Sequence, residues 1–168
     1  IAYTFFILRK KANKNKNIIL LGGNMGLKYE DNSAVFHRYL TNNINDNQSV
    51  YWMYDKKAFK PHEKEILNPV PLGSIKNYYL FFNARYVIFS HSLSLDIAPF
   101  INKFLFLNKK VIKIHVSHGI EGFKKLLINK NVSNLFKECD YFNCVSEYEK
   151  KIKEKEWGVP SSKLIVIG

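Results

Sequence analysis

Residues 110–125 read KVIKIHVSHGIEGFKK, and the fold turns on how this stretch is read. It opens as an apolar, β-branched run, Val111-Ile112-Lys113-Ile114-His115-Val116, breaks at Ser117-His118-Gly119, and continues through Glu121 to Lys124 and Lys125. A run of that length bounded by glycine predicts a buried strand followed by a turn. In an open α/β sheet the carboxyl end of a strand is where ligands bind. An imidazole there can exchange protons near neutral pH. Gly119 lets a ligand approach the backbone closely, and Lys124 and Lys125 can hold an anion. The same residues also fit a structural loop with a surface histidine, so the rest of the chain has to decide.

Working outward, the next elements downstream are a short helix capped by Ser133 and reaching Cys139, then a strand over residues 141–145. Ser146-Glu147-Tyr148-Glu149 has the spacing of a capping box. The helix it starts runs to about Trp157 and is stopped by Gly158 and Pro160. Residues 164–167 predict the last strand. Upstream, RYVIFS (85–90) predicts a strand that ends in the polar loop 91–96. Residues 97–107, IAPFINKFLFL, are too short to cross a bilayer. They fit either a buried helix or an exposed patch at a membrane interface. Ser74 caps a helix to about Asn83, whose Tyr78, Tyr79, Leu80, Phe81 and Phe82 read as core because they fall at helical spacing.

Further upstream, Val70 between two prolines predicts a short strand, and SVYWMY (49–54) a longer one. Residues 55–68 read as a loop with a short helix. His62-Glu63 lies there, but Ile66 stands where a zinc motif needs histidine. Residues 17–21 predict the first strand. Gly22-Gly23-Asn24-Met25-Gly26 follows it, and is neither GxGxxG nor a Walker sequence. It fits a phosphate cradle and a tight strand-to-helix turn equally. Asp31, Asn32 and Ser33 are capping types, and residues 34–40 continue as a helix with Val35, Tyr39 and Leu40 expected in the core. Strands and helices thus alternate with short connections. That pattern predicts an α/β fold: a Rossmann-like parallel sheet with helices on both faces.

The 168 residues are one domain's worth, and 46% hydrophobic with 15% aromatic content indicates a packed protein. A net charge of +12 points to an anionic partner. Cys139 and Cys144 lack CxxC spacing and neighbouring histidine, so neither zinc nor a disulfide framework is expected, and a reducing cytoplasm is the simplest compartment. The chain begins with Ile1 and ends in an apolar run at Gly168, which predicts a piece of something longer. Residues 1–16 form a basic segment, IAYTFFIL followed by Arg9, Lys10, Lys11, Lys14 and Lys16. It fits the cytoplasmic end of a membrane anchor drawn to an anionic surface, or an N-terminal helix with a solvated charged tail.

Four stretches, in order, resemble one family. They are Tyr29-Glu30-Asp31-Asn32-Ser33, close to Tyr-x-Asp-Asn-Pro; Ser74–Tyr79 leading to Ala84–Ile88; the His118-Gly119 turn with its lysines; and Ser146 through Pro160 to Gly168. Together, over roughly residues 17–168, they are similar to the amino-terminal half of the CDP-glycerol glycerophosphotransferases, which build teichoic acids and related polymers. The resemblance implies a GT-B enzyme of two Rossmann-like domains. Residues 17–168 would be the acceptor side, facing a lipid-linked acceptor at the cytoplasmic face of the cell membrane. CDP-glycerol would be held by a donor domain outside this chain, so the chain alone is expected to be inactive. It implies His118 as the catalytic base, since an imidazole's ordinary pKa is roughly 6.5. Ser117, Gly119, Lys124, Lys125, Asp31 and Asn32 would contact substrate, with no metal and no cofactor. The family turn reads His-Gly-Thr-Pro-Leu-Lys; here Ile120 and Glu121 replace Thr and Pro.

Two other readings share these features. One is the acceptor domain of a GT-B glycosyltransferase using a nucleotide sugar, and the other a non-enzymatic membrane-associated binding domain. Nucleic-acid binding ranks below both, because the basic residues are spread along the chain and no nucleic-acid motif is present.

Overall fold

A computed structural model of the chain describes residues 17–58, 66–120 and 136–167. Among these residues seven strands form one sheet: β1 (Asn17–Leu21), β2 (Gln48–Tyr54), β3 (Pro69–Pro71), β4 (Ala84–Phe89), β5 (Ile112–His115), β6 (Tyr141–Cys144) and β7 (Leu164–Val166). Their order is β3-β2-β1-β4-β5-β6-β7 and every pairing is parallel. This is the doubly wound arrangement expected from the alternating pattern. The order reverses between β1 and β4, which opens a crevice at their carboxyl ends.

Alternation within the strands divides the core in two. Ile18 and Leu20 of β1 join Val87 and Phe89 of β4 on one face. Ile19 and Leu21 join Ile88, Val50 and Trp52 on the other. On the first face packs α2 (Ile75–Asn83), through Leu80, Phe81 and Phe82. Its predicted cap is present: Ser74 Oγ accepts from the Asn77 N–H at 3.1 Å. The apolar stretch 97–107 is part buried and part exposed. Ile97, Ala98 and Ile101 are buried, while Phe104 and Phe106 of a 3-10 segment, Ile101–Leu107, and Phe100 just before it are exposed.

The second face is covered by α1 (Asp31–Asn42), and here the sequence reading needs correction. Val35 and Tyr39 are exposed; Ser33, Ala34 and His37 are buried instead, with Leu40 packed against the same cluster. A polar side chain can take the inward position because it finds partners. Tyr29 Oη lies 2.8 Å from His37 Nδ1, and both rings meet Trp52 edge-on. Burial is the main cause that lowers the His37 pKa, to about 4, against an opposing contribution from the Leu67 backbone. The native state therefore binds this proton later than the unfolded chain does. Stability should be intact above pH 6.5 and fall as the pH drops toward 4, by roughly 3 kcal/mol in all. Urea midpoints at pH 7 and pH 4.5 should differ in the native protein and converge in His37→Phe. An unchanged acid sensitivity in that variant would reject His37 as its source.

α3 (Glu147–Trp157) closes the first face beside β6 and β7. Ser146 Oγ accepts from the Glu149 N–H at 3.2 Å, as the capping box requires, but the Glu149 carboxylate accepts from the Val145 N–H rather than from Ser146. Gly158 ends the helix at φ +67. Cys139 and Cys144 are buried and not joined to one another, and burial pushes the Cys139 thiol pKa up. Of the helix predicted from Ser133, residues 136–138 are helical, and Ser133 lies outside the described residues, as does His62-Glu63. No helix among the described residues is long and apolar enough to cross a membrane.

Candidate functional site

The carboxyl ends of β1, β4, β5 and β6 meet around the crevice, and each supplies polar atoms. After β1, Asn24, Met25 and Gly26 all take positive φ, an unusual run for non-glycine residues. The turn aims the Met25 N–H at Asp96 Oδ1, 2.9 Å away. Gly22 and Gly23 are required by packing. A Cβ on Gly22 would lie 1.9 Å from the Asp96 carbonyl oxygen, and one on Gly23 would lie 2.2 Å from Ser33 Oγ. Of the two readings of this glycine loop, the tight turn accounts for both residues.

After β4, the chain folds over Asp96, which is fully buried. Its Oδ2 accepts from the Ser90 N–H at 2.9 Å and the His91 N–H at 2.6 Å. Burial by itself raises the Asp96 pKa, but the contacts from His91 and the backbone N–H groups outweigh it and hold the carboxyl below its ordinary value. His91 Nδ1 lies 3.6 Å from Asp96 Oδ1, an ion-pair separation rather than a hydrogen bond, and 3.3 Å from Ser90 Oγ. The Asp96 carboxylate raises the His91 pKa against partial burial, and Asp31 adds to the rise.

After β5, His118 sits where the sequence reading placed it, on an exposed turn. Its Nδ1 is 2.8 Å from Oδ2 of Asp31. Asp31 opens α1 at φ +69, a conformation aspartate tolerates better than most residues. Its neighbour Asn32 donates to the Ser117 carbonyl at 2.6 Å. The two capping-type residues thus reach across to the turn, and the N-cap position, Glu30, has no side-chain cap. Ser117 is buried and held from three sides: its N–H donates to Asn143 Oδ1 at 2.8 Å, its Oγ accepts from Lys153 Nζ at 3.1 Å, and its carbonyl is the one Asn32 holds. Lys153 is anchored by Glu149 at 3.0 Å and the Asn143 carbonyl at 2.8 Å. Beside Gly119, nothing among the described residues lies within 4 Å of where a Cβ would be. His115, by contrast, is in the core against Phe89 and Phe142.

The structure therefore brings together His118, Asp31, Asn32, Ser117 and Gly119. Lys124 and Lys125 lie outside the described residues, as do Arg9, Lys10, Lys11, Lys14 and Lys16. His91 and Asp96 were missed from sequence. The available signal was that Ser-His follows both strands, at Ser90-His91 directly after β4 and at Ser117-His118 one residue beyond β5. Among the described residues, no three His, Cys, Asp or Glu side chains converge as a metal site. An open groove of about 690 Å³, lined by Met25, Leu95, Pro99 and Phe100 among others, adjoins the same loops.

Residues 2–168 match the model of the CDP-glycerol:poly(glycerophosphate) glycerophosphotransferases. The chain belongs to that family. No curated protein sequence matches this glycerophosphotransferase-family chain. Among solved structures it is similar to the wall teichoic acid polymerase TagF. A histidine-to-asparagine variant of TagF gives a TM-score of 0.63 at 14% identity, and that variant soaked with CDPG for 15 minutes gives 0.62 at 16%. TagF itself gives 0.60 at 14%. In each case the match covers 99% of this chain and 42% of the TagF chain. The likeness shows that the family member described here shares the fold of that part of TagF, and that it spans less than half of TagF's length.

Proposed function

We propose that this chain is the acceptor-side domain of an enzyme that transfers glycerol phosphate from CDP-glycerol to a lipid-linked acceptor in teichoic acid or related polymer synthesis. The observation that carries the reading is the Asp31–His118 pair at the carboxyl end of β5, beside the switch point, in a family member. TagF, solved as histidine variants and with CDPG, supports the same choice of residue type and donor. The Asp31 carboxylate accepts from the His118 Nδ1–H. That leaves Nε2 as the acceptor for a proton. As the acceptor hydroxyl attacks the glycerol-bearing phosphorus, Nε2 takes the hydroxyl proton. The bond from that phosphorus to the CMP oxygen breaks, and CMP leaves. Asn32, Ser117 and Lys153 fix the turn so that the imidazole stays in place; Gly119 leaves room for the acceptor.

The donor nucleotide binds a part of the protein beyond these residues, and the basic segment of residues 1–16 brings the enzyme to the anionic cytoplasmic face of the membrane. The test is CMP release from CDP-glycerol by the full protein with vesicles carrying the acceptor. Turnover is expected with CDP-glycerol and not with nucleotide sugars; turnover of a nucleotide sugar alone would replace this reading with that of a glycosyltransferase. Vesicle binding should strengthen with anionic lipid and weaken with salt. Binding indifferent to both would remove the role given to Arg9, Lys10, Lys11, Lys14 and Lys16.

A further inference from the structure

Strands β4 and β5 are parallel neighbours with Phe89 opposite His115, and each runs on into Ser-His at the same edge of the sheet. The two imidazoles that follow, His91 and His118, meet with ring centroids 4.4 Å apart at 66°. Each has a carboxylate at Nδ1: Asp96 for His91 and Asp31 for His118. Every contact made by these two rings' nitrogens among the described residues runs through Nδ1, so both Nε2 atoms are left for a ligand. The carboxylates differ, however. Asp31 is partly exposed and Asp96 is wholly enclosed. A carboxylate sealed from water needs a counter-charge close by, and His91 is the titratable side chain in contact with it.

We propose that His91 is a second substrate-contacting residue of this site, an imidazolium whose Nε2–H donates to a non-bridging oxygen of a phosphoryl group while His118 faces the hydroxyl. The assignment rests on the transferase reading above for the identity of the substrate. Three observations favour a phosphoryl ligand over a second hydroxyl. First, the enclosed Asp96 carboxylate lies against His91 Nδ1 and favours the protonated ring, which is a charged donor rather than an acceptor. Second, the glycine turn after β1 is packed against Asp96 and Ser33 and accounts for its glycines without a phosphate. Third, among the described residues the lysine in contact with the turn is Lys153, which is buried and directed to Glu149, Ser117 and Asn143. A cation beside the base is what stabilises charge gathering on phosphoryl oxygens during transfer. The groups facing His91 are Asp96 on its own loop, Asp31 on α1 and His118 on the β5 turn.

The phosphoryl group can belong to the acceptor or to the donor, and two probes separate these sources: glycerol 3-phosphate and CDP-glycerol. In the full protein, the His91 ring signals should move on adding one of them, and the ring's titration midpoint should rise in its presence. His91→Gln should weaken binding of that probe about tenfold. Asp96 keeps its three backbone N–H donors in His91→Gln, so the fold should survive. The NMR measurement needs no variant at all. Ring signals indifferent to both probes, or unchanged affinities in His91→Gln, overturn the assignment. Absence of CMP release by the unaltered protein would count against the transferase reading alone, because phosphate binding at His91 is read separately from turnover.

Discussion

Replacing His118 by alanine should lower kcat by about 10²–10⁴ while leaving the melting temperature nearly where it was. The two halves of this expectation have separate causes. Under the proposed mechanism the rate falls because Nε2 takes the hydroxyl proton, with the tautomer set by Asp31 at 2.8 Å. Asp31→Asn should therefore lower the rate as well, by letting the ring hold its proton on the wrong nitrogen. Stability changes little because the His118 side chain is 41% exposed and its single ion pair faces solvent. Such pairs contribute at most about 1 kcal/mol. His115 is the control. It is buried between Phe89 and Phe142, so His115→Ala should cost roughly 2–3 kcal/mol. Near-normal turnover in His118→Ala would remove the catalytic role, and a large loss of stability in it would reassign the residue to the fold.

Lys153→Met should be the most destabilising single change on α3, costing about 3–5 kcal/mol. Lys153 and Glu149 are almost completely enclosed, with 1% and 2% of their side chains exposed. Removing the ammonium takes the Lys153 counter-charge from a carboxylate that is itself 2% exposed. It also strips the donor from Ser117 Oγ and from the Asn143 carbonyl. Taking away both charges, as in Lys153→Met with Glu149→Leu, should recover part of the loss, since an apolar pair of similar volume carries no desolvation penalty. Urea denaturation of the two single variants and the double variant gives the comparison. A cost below about 1 kcal/mol for Lys153→Met would mean that water reaches the pair. Because Ser117 precedes His118, the single variant should also slow turnover more than its folded fraction explains.

How far the sequence went depended on how local each signal was. Val70 between two prolines, Ser74 three residues before Asn77, and Ser146 before Glu149 are decided within a few positions, and all three elements are where they were expected. The parallel sheet was legible because alternating strands and helices leave few other arrangements. The place of His118 on a turn after a strand was legible because the β-branched run breaks at Ser117-His118-Gly119. The rest depended on partners far along the chain. Asp31 looked like a helix cap, and its true partner is 87 residues away. Asp96 looked like one more polar loop residue, yet it joins the Met25 backbone, 71 residues distant, to β4. The inward face of α1 was misread because Val35 and Tyr39 are the more apolar choices. The position was taken by His37, which Tyr29 and Trp52 receive from other elements.

Pairing of Phe89 with His115 makes the sheet a ruler graduated in whole residues. Strands cannot slide by a fraction: one step along β5 moves the following turn about 3.3 Å and reverses the facing of every side chain. The spacing of His91 from His118 is therefore quantised. Its neighbouring settings would part the rings and take His118 out of reach of Asp31. Point substitutions within the β5 strand can be absorbed by repacking, but a one-residue deletion there has no intermediate adjustment open to it. The physical constraint on this strand is thus far tighter on its length than on its composition.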